Sequence, residues 1–508
     1  MYVVTGFRGG ALAAALVAST ALQSAQAADL PLKAKPVEYV KVCSLYGAGY
    51  YYMPGTDICL KLGGYVRYQA EFNSANGMVF GSTPFATAGQ LTRTSTPQFS
   101  QLVRAVVTVD TRQQTAYGTL RTYIMLGFEQ STIAAETTSP PVYMPRGFIQ
   151  VAGFTFGRAY SMFDIFTNTG RYSYAELRTD GDTRTYGTTL AAYTHQFGNG
   201  VSATISMENP GRSLNGSYGV GDGTSAVFAV NGVTNLDTGG TTVPDIIGNL
   251  RLDQAWGYIG LSGALHQLRA AYYNNPSLTP NGHPANVWGW AGAIGGMLNL
   301  PNGDSIGFNF AYSVGAAGYA TKGGSWQLYN SNNSVGVGWL VDGLFDNTAP
   351  NAFSSIQRTT VWSINAGGEH RWTPQLATSV YGGYTSVSYN ATAQSIIAVH
   401  LPGPAGSIPC GVPVAGAVWP PLAIAVGSGN RCSANFSFWQ VGSRTEWAVT
   451  PDRGLRVGVD VTYTHLNTAF KGTSPGLYPV TGAQPANNTL ADQNIWSAIF
   501  RVQREFYP

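Results

Sequence analysis

The chain has 508 residues, of which 10% are charged, 12% are aromatic and 63 are glycine, with a formal net charge of +3 and a mean hydropathy of −0.02. Such sparse charge excludes an ordinary soluble surface, which carries about 25% charged residues. The small net charge likewise excludes a nucleic-acid partner, which needs concentrated basic residues. A helical membrane protein needs apolar runs of about 20 residues, and the longest candidate, Ala11 to Leu22, falls short.

That run lies near the start. Arg8 precedes it, and the small residues Ala25 and Ala27 follow it. This is the order of a secretory signal peptide, expected to span 1–27 and to be cleaved after Ala27. Removing it deletes one charged residue, Arg8, and lowers the net charge from +3 to +2. Export makes disulfides available. Four cysteines allow three pairings, and proximity in sequence favours Cys43–Cys59 with Cys410–Cys432. No cysteine pair has the spacing of a metal knuckle and the six histidines are scattered, so no metal or other cofactor is expected.

The segment 59–72, CLKLGGYVRYQAEF, begins a pattern that recurs to the end of the chain. Leu60, Leu62, Val66 and Phe72 occupy one set of alternate positions, while Lys61, Arg67, Gln69 and Glu71 occupy the other. A strand sends these sets to opposite faces, one apolar and one wettable. Further candidates follow at 98–111, 118–129, 145–152, 154–160, 185–197, 201–210, 246–254 and 256–268. The rest lie at 287–300, 304–314, 359–372, 376–389, 436–450, 455–466 and 495–507, sixteen in all.

Seven of the connections are turn-like and alternate strictly with eight long ones. Strands that meet at tight turns are antiparallel neighbours. All turns then fall on one rim and all long loops on the other, as in outer-membrane barrels, whose turns are periplasmic and whose long loops are extracellular. Trp362 and Trp372 share a phase ten residues apart, about 33 Å along a strand. Tilted near 45°, that is about 23 Å of depth, close to the apolar band of about 25 Å between aromatic girdles. The expected fold is therefore all-β: a sixteen-stranded antiparallel transmembrane barrel over 59–508, with 28–58 as a segment on the periplasmic side. Its outer face meets outer-membrane lipid. The weakest fits are 145–152, which barely alternates, and Arg158 and Arg504, which share phases with outward phenylalanines.

Sixteen strands can enclose an aqueous bore. Inward phases supply Lys61, Arg67, Arg104, Arg121, Arg251, Arg371, Arg444, Arg456 and Arg501. The bland alternative to a role in permeation is that each pairs with an acid on the next strand.

The stretches 28–67, 147–164 (GFIQVAGFTFGRAYSMFD), 244–257 (PDIIGNLRLDQAWG), 370–390 and 500–507 resemble the alphaproteobacterial porins. The resemblance implies general diffusion of small hydrophilic solutes and ions in a Gram-negative outer membrane. It also implies a homotrimer and a third long loop folded inward as a constriction, here residues 161–184. The constriction residues would then be Arg67, Arg104 and Arg121 on the wall, facing Asp164, Glu176 and Asp180 on the loop. One departure from the family pattern is Pro508, which follows the aromatic pair Phe506 and Tyr507. The alternatives are a sugar-specific channel using tyrosines such as Tyr172 and Tyr174, an adhesin acting through the long loops, and an outer-membrane phospholipase. A phospholipase needs a base beside a nucleophile, and serines and the histidines His195, His266 and His465 occur on expected strands.

Overall fold

The computed structural model describes residues 41–73, 99–132, 142–183, 186–210, 227–229, 239–270, 282–322, 326–331, 334–345, 355–400, 433–469, 471–475 and 487–506. The signal peptide, residues 28–40, and both Cys410 and Cys432 lie outside them. Sixteen long strands form one sheet. The first eight are β1 (Cys59–Phe72), β2 (Phe99–Thr115), β3 (Gly118–Ser131), β4 (Val142–Val151), β5 (Phe154–Ala159), β6 (Thr188–Gly198), β7 (Val201–Glu208) and β8 (Asp245–Gln254). They continue as β9 (Gly257–Leu268), β10 (Val287–Asn299), β11 (Ser305–Val314), β12 (Thr360–Arg371), β13 (Leu376–Ser388), β14 (Phe436–Ala448), β15 (Leu455–Asn467) and β16 (Gln493–Glu505).

Each strand pairs antiparallel with the next, and β16 returns to β1 from Tyr65↔Glu505 to Phe72↔Ala498. That closure leaves no edge. In hydrocarbon an unpaired backbone group has no water to bind, so an open sheet could not stand there. The turns and long connections alternate as expected. β2 runs four residues beyond its expected end, to Thr115, and β4 begins three residues early, at Val142. A register shift between Met125 and Gly127, where β3 meets β4, explains the poor alternation of 145–152.

The side-chain phases hold as well. On β9, Ile259, Leu261 and Leu265 point outward, exposed on the isolated chain, while Gly260, Ser262 and Ala264 are buried. An outward aromatic row crosses the second half of the wall through Trp290–Tyr312, Trp362–Tyr384, Trp439–Tyr463 and Tyr463–Trp496, with ring centroids 4.9–5.5 Å apart. Trp372, Trp447 and Phe506 stand outward near the opposite rim. The two misfit arginines are accommodated at the ends of their strands. Arg158 Nε donates to the Tyr186 carbonyl at 2.7 Å, and Arg504 lies 3.4 Å from Asp452 in a rim turn.

Before β1, Cys43 and Cys59 form a disulfide with Cα atoms 5.9 Å apart. The segment it closes folds onto lumen-facing groups: the Tyr46 and Tyr50 rings stack on Arg112, and Lys61 Nζ donates to Ala48 O at 3.0 Å. Burial, then the acceptance of its hydroxyl by Asp110, pushes the Tyr50 phenol up to about 12.

The bore is not filled evenly. Toward the long-loop rim, one side holds a dry core of Phe163, Ile165, Tyr319, Leu340 and Leu344 packed on wall residues such as Val361, Val387 and Phe438. Its polar pin is His266, whose ring nitrogens lie 2.7 Å from Asp245 and 3.7 Å from Asp342, while Tyr319 Oη donates to Asp245 at 2.6 Å.

The outward phase has a measurable consequence. Leu261→Arg, near the middle of β9, should destabilise the bilayer-inserted barrel by about 2–4 kcal/mol, whereas arginine at lumen-facing Thr204 should be tolerated. Urea unfolding from lipid vesicles measures both.

Candidate functional site

The connection from β5 to β6 turns into the bore. Its two ends are tied together: Ser161 N–H donates to Thr183 Oγ1 at 2.9 Å, and Asp164 accepts Thr183 N–H at 2.8 Å. At its tip, Asn168 O accepts from Arg171 N at 3.0 Å and Tyr172 N at 2.9 Å, and Gly170 adopts φ +74°, a region that glycine enters without steric cost.

The opposite wall provides a bed for this loop. Lumen-facing positions on β11 to β15 carry glycine where the loop presses closest. A Cβ there would lie 2.1 Å from Phe166 at Gly307, 2.5 Å from Asn168 at Gly367 and 2.3 Å from Tyr174 at Gly458. Polar wall groups then satisfy the loop's backbone. Asn365 Nδ2 donates to Thr179 O at 2.8 Å, Ser379 Oγ donates to Tyr172 O at 2.6 Å, and Gln440 Oε1 accepts Arg178 N–H at 2.6 Å. Asp460 on β15 gathers the tip, accepting from Tyr174 N, from Ala175 N at 3.3 Å and from Ser173 Oγ at 3.2 Å.

A second anchor comes from the β11–β12 connection. Buried Lys322 reaches Glu176 at 2.7 Å and Asp182 at 3.4 Å, and its own N–H donates to Arg178 O at 3.0 Å. Burial disfavours the charge on Glu176, but the Lys322 ammonium and Arg178 outweigh it and hold the carboxyl below its usual range. Asp180 goes the other way. Burial, then repulsion from Asp182, pushes it up to about 7.

Docked on that side, the loop leaves an opening between its free edge and the wall formed by β16 and β1 to β4. Four arginines (Arg67, Arg104, Arg178 and Arg501) and three glutamates (Glu71, Glu129 and Glu176) line it. Arg104 is ion-paired with Glu129. Arg67 Nε donates to Gln503 Oε1 at 2.7 Å, and Arg501 donates to Tyr174 O at 3.2 Å. Aromatic faces carry the guanidiniums: Tyr65 under Arg67 at 4.9 Å, Tyr143 under Arg104 at 5.5 Å and Tyr174 under Arg501 at 3.9 Å.

Of the six residues anticipated from the sequence, Arg67, Arg104 and Glu176 line this opening, and Arg121, Asp164 and Asp180 do not. Arg121 lies near the turn rim, 2.8 Å from Asp110 and opposite Arg112 in register. Asp164 is spent on closing the base of the loop. Asp180 faces inward, accepting from Thr167 Oγ1 at 2.9 Å and Asn168 N at 3.0 Å. Lys322, Asp460 and the glycine bed were not anticipated. The available signal was glycine recurring at inward positions of adjacent strands.

A family model for a porin subfamily matches residues 29–499. Porin Omp2b of Brucella melitensis is 30% identical over 329 residues, 62% of this chain and 77% of the relative. Porin Omp2b of Brucella suis is 30% identical over 331 residues, with the same coverage. Among solved structures, the outer-membrane channel DcaP of Acinetobacter baumannii superposes with a TM-score of 0.51 over 90% of this chain and 99% of that one, at 11% identity. This last likeness concerns the fold.

Two outcomes follow from the docking geometry. Asp460→Ala strands two backbone donors and takes an acceptor from the Ser173 and Tyr381 hydroxyls, at about 1–3 kcal/mol for each buried group left unsatisfied. The freed tip should give larger and noisier single-channel currents while the barrel stays folded. The Asp180 carboxyl is the second lever. An acid whose value rises from 3.8 to about 7 on docking favours the docked loop most below the lower value, and that contribution is lost as pH climbs through the upper one. Current noise should therefore grow as pH rises from about 4 to about 7, and Asp180→Asn should flatten the dependence.

Proposed function

The chain belongs to the porin subfamily, non-enzymatic channels of the Gram-negative outer membrane that pass small solutes, and on that premise we propose that the opening beside the β5–β6 loop is its constriction. The observation that carries this reading is the loop's position, docked on β11 to β15 and leaving free lumen along β16 and β1 to β4. Solutes descending the bore pass between Arg67, Arg104 and Arg501 on one side and Glu176 and Arg178 on the other. Charges of both signs across a low-dielectric gap set up a transverse field that orients dipolar solutes.

A sugar slide needs open aromatic faces. The tyrosines here are covered by guanidiniums: Arg146 lies 3.6 Å from the Tyr160 ring centroid, and Arg501 lies 3.9 Å from that of Tyr174. This favours general diffusion over sugar specificity.

We also infer that the protein is a homotrimer and that residues 1–27 are removed on export. Support for the trimer is the low wall at β5, which has six residues. Tilted, that spans about 14 Å, well short of the apolar band of about 25 Å. Its outward Phe154 and Phe156, stacked on each other with Tyr193 beside them, are an apolar face that a second copy would cover. In planar bilayers the refolded protein should insert as ohmic channels whose closures come in threes. Single independent steps would dismiss the trimer, and saturable block by a sugar would restore the sugar-specific reading.

A further inference from the structure

Resting on the reading of this opening as the constriction, we propose that Arg67 and Arg501 form an oxyanion subsite there, so that the channel prefers small solutes carrying a carboxylate or phosphate group. The argument begins with register. Arg67 lies opposite Arg104 on β2, and Arg501 lies opposite Gln69, two residues along β1 from Arg67. Three cations on adjacent strands thus crowd one level of the wall.

The acids nearby do not neutralise them. Glu129 is paired with Arg104, and Glu176 is held by Lys322 at 2.7 Å. Buried Glu71 accepts from Gln69 and from Ser100 Oγ at 3.4 Å. Among the described residues, Arg67 and Arg501 form no ion pair, and their hydrogen bonds go to an amide and a carbonyl.

Arg501 is 8% exposed and its Nε has no hydrogen-bond partner. A buried, unsatisfied guanidinium donor is costly unless something occupies it. Both guanidiniums lie against tyrosine rings, Arg67 on Tyr65 and Arg501 on Tyr174. Stacking fixes the planes and leaves the N–H edges as the polar surface. Such edges match the paired oxygens of a carboxylate or phosphate. A neutral sugar would leave both charges uncompensated, and a cation would be repelled.

The test uses purified full-length channels in planar bilayers, with the zero-current potential read across a KCl gradient. Wild type should favour chloride over potassium by about tenfold, the low end of electrostatic focusing because acids share the opening. The double variant Arg67→Gln/Arg501→Gln should fall close to parity. Millimolar inorganic phosphate should block wild-type chloride current saturably, glucose should not, and the double variant should lose the block.

Arg67→Lys/Arg501→Lys separates charge from geometry, because it should keep the chloride preference and lose most of the phosphate block. Heat-modifiable migration on gels confirms that each variant has folded. Potassium preference in wild type, or a potential and phosphate response equal in wild type and the glutamine variant, overturns the subsite. A folded protein that opens no channel overturns the constriction reading instead.

Discussion

Every other feature depends on the pairing of β16 with β1. From Tyr65↔Glu505 to Phe72↔Ala498 the ladder closes, so the sheet presents no open edge strand to hydrocarbon. Closure fixes alternation, since a strand bonded on both sides can offer only its two faces. One face must suit lipid and the other must suit what lies inside. Leu261 and Ser262, adjacent on β9, show how completely neighbours are divided: one is half exposed outward and the other buried inward.

The interior is wide enough to need subdivision, and the protein divides it with its own chain. Two kinds of packing meet in the bore. Toward the long-loop rim, Phe163 and Ile165 carry the base of the inward loop into a dry cluster with Tyr319 and Leu344. Deeper in, the loop lies on glycines and is held by Asn365, Ser379, Gln440 and Asp460. Apolar packing excludes solutes from one side, and polar anchoring positions the loop's free edge on the other. The wet passage is therefore eccentric, bounded by β1 to β4 and by β16, where Arg501 meets the loop at Tyr174.

Much of this was legible in the chain. All sixteen strands lie within a few residues of their expected bounds because alternation and connection length are local properties. What alternation cannot encode is height along the bore. Arg104 and Arg121 share the lumen-facing character, yet register sets Arg104 beside Arg67 and Arg121 beside Arg112 near the turn rim. Pairing was hidden for the same reason. Nothing in the loop's sequence says that Asp164 closes its own base or that Lys322, more than 130 residues away, takes Glu176. The glycine bed was visible only as composition, since its meaning needs Gly307 and Gly367, paired across β11 and β12, brought together with Gly458 three strands further round.

The arrangement of charge follows from which side the loop chose. By docking on β11 to β15 it brings its carboxylates to Lys322 and leaves the arginines of β16 and β1 without an acid of their own beside the opening. Had Glu176 reached Arg67 or Arg501, the gap would be bridged and the opening closed by its own ion pair. Unpaired cations on the wall are thus a consequence of keeping the passage open. Their tyrosine supports serve the same end, because a guanidinium resting on a ring cannot fold back onto a distant acid. An open bore in a chain with so few charges needs those it has to be held apart, and the docked loop is what separates them.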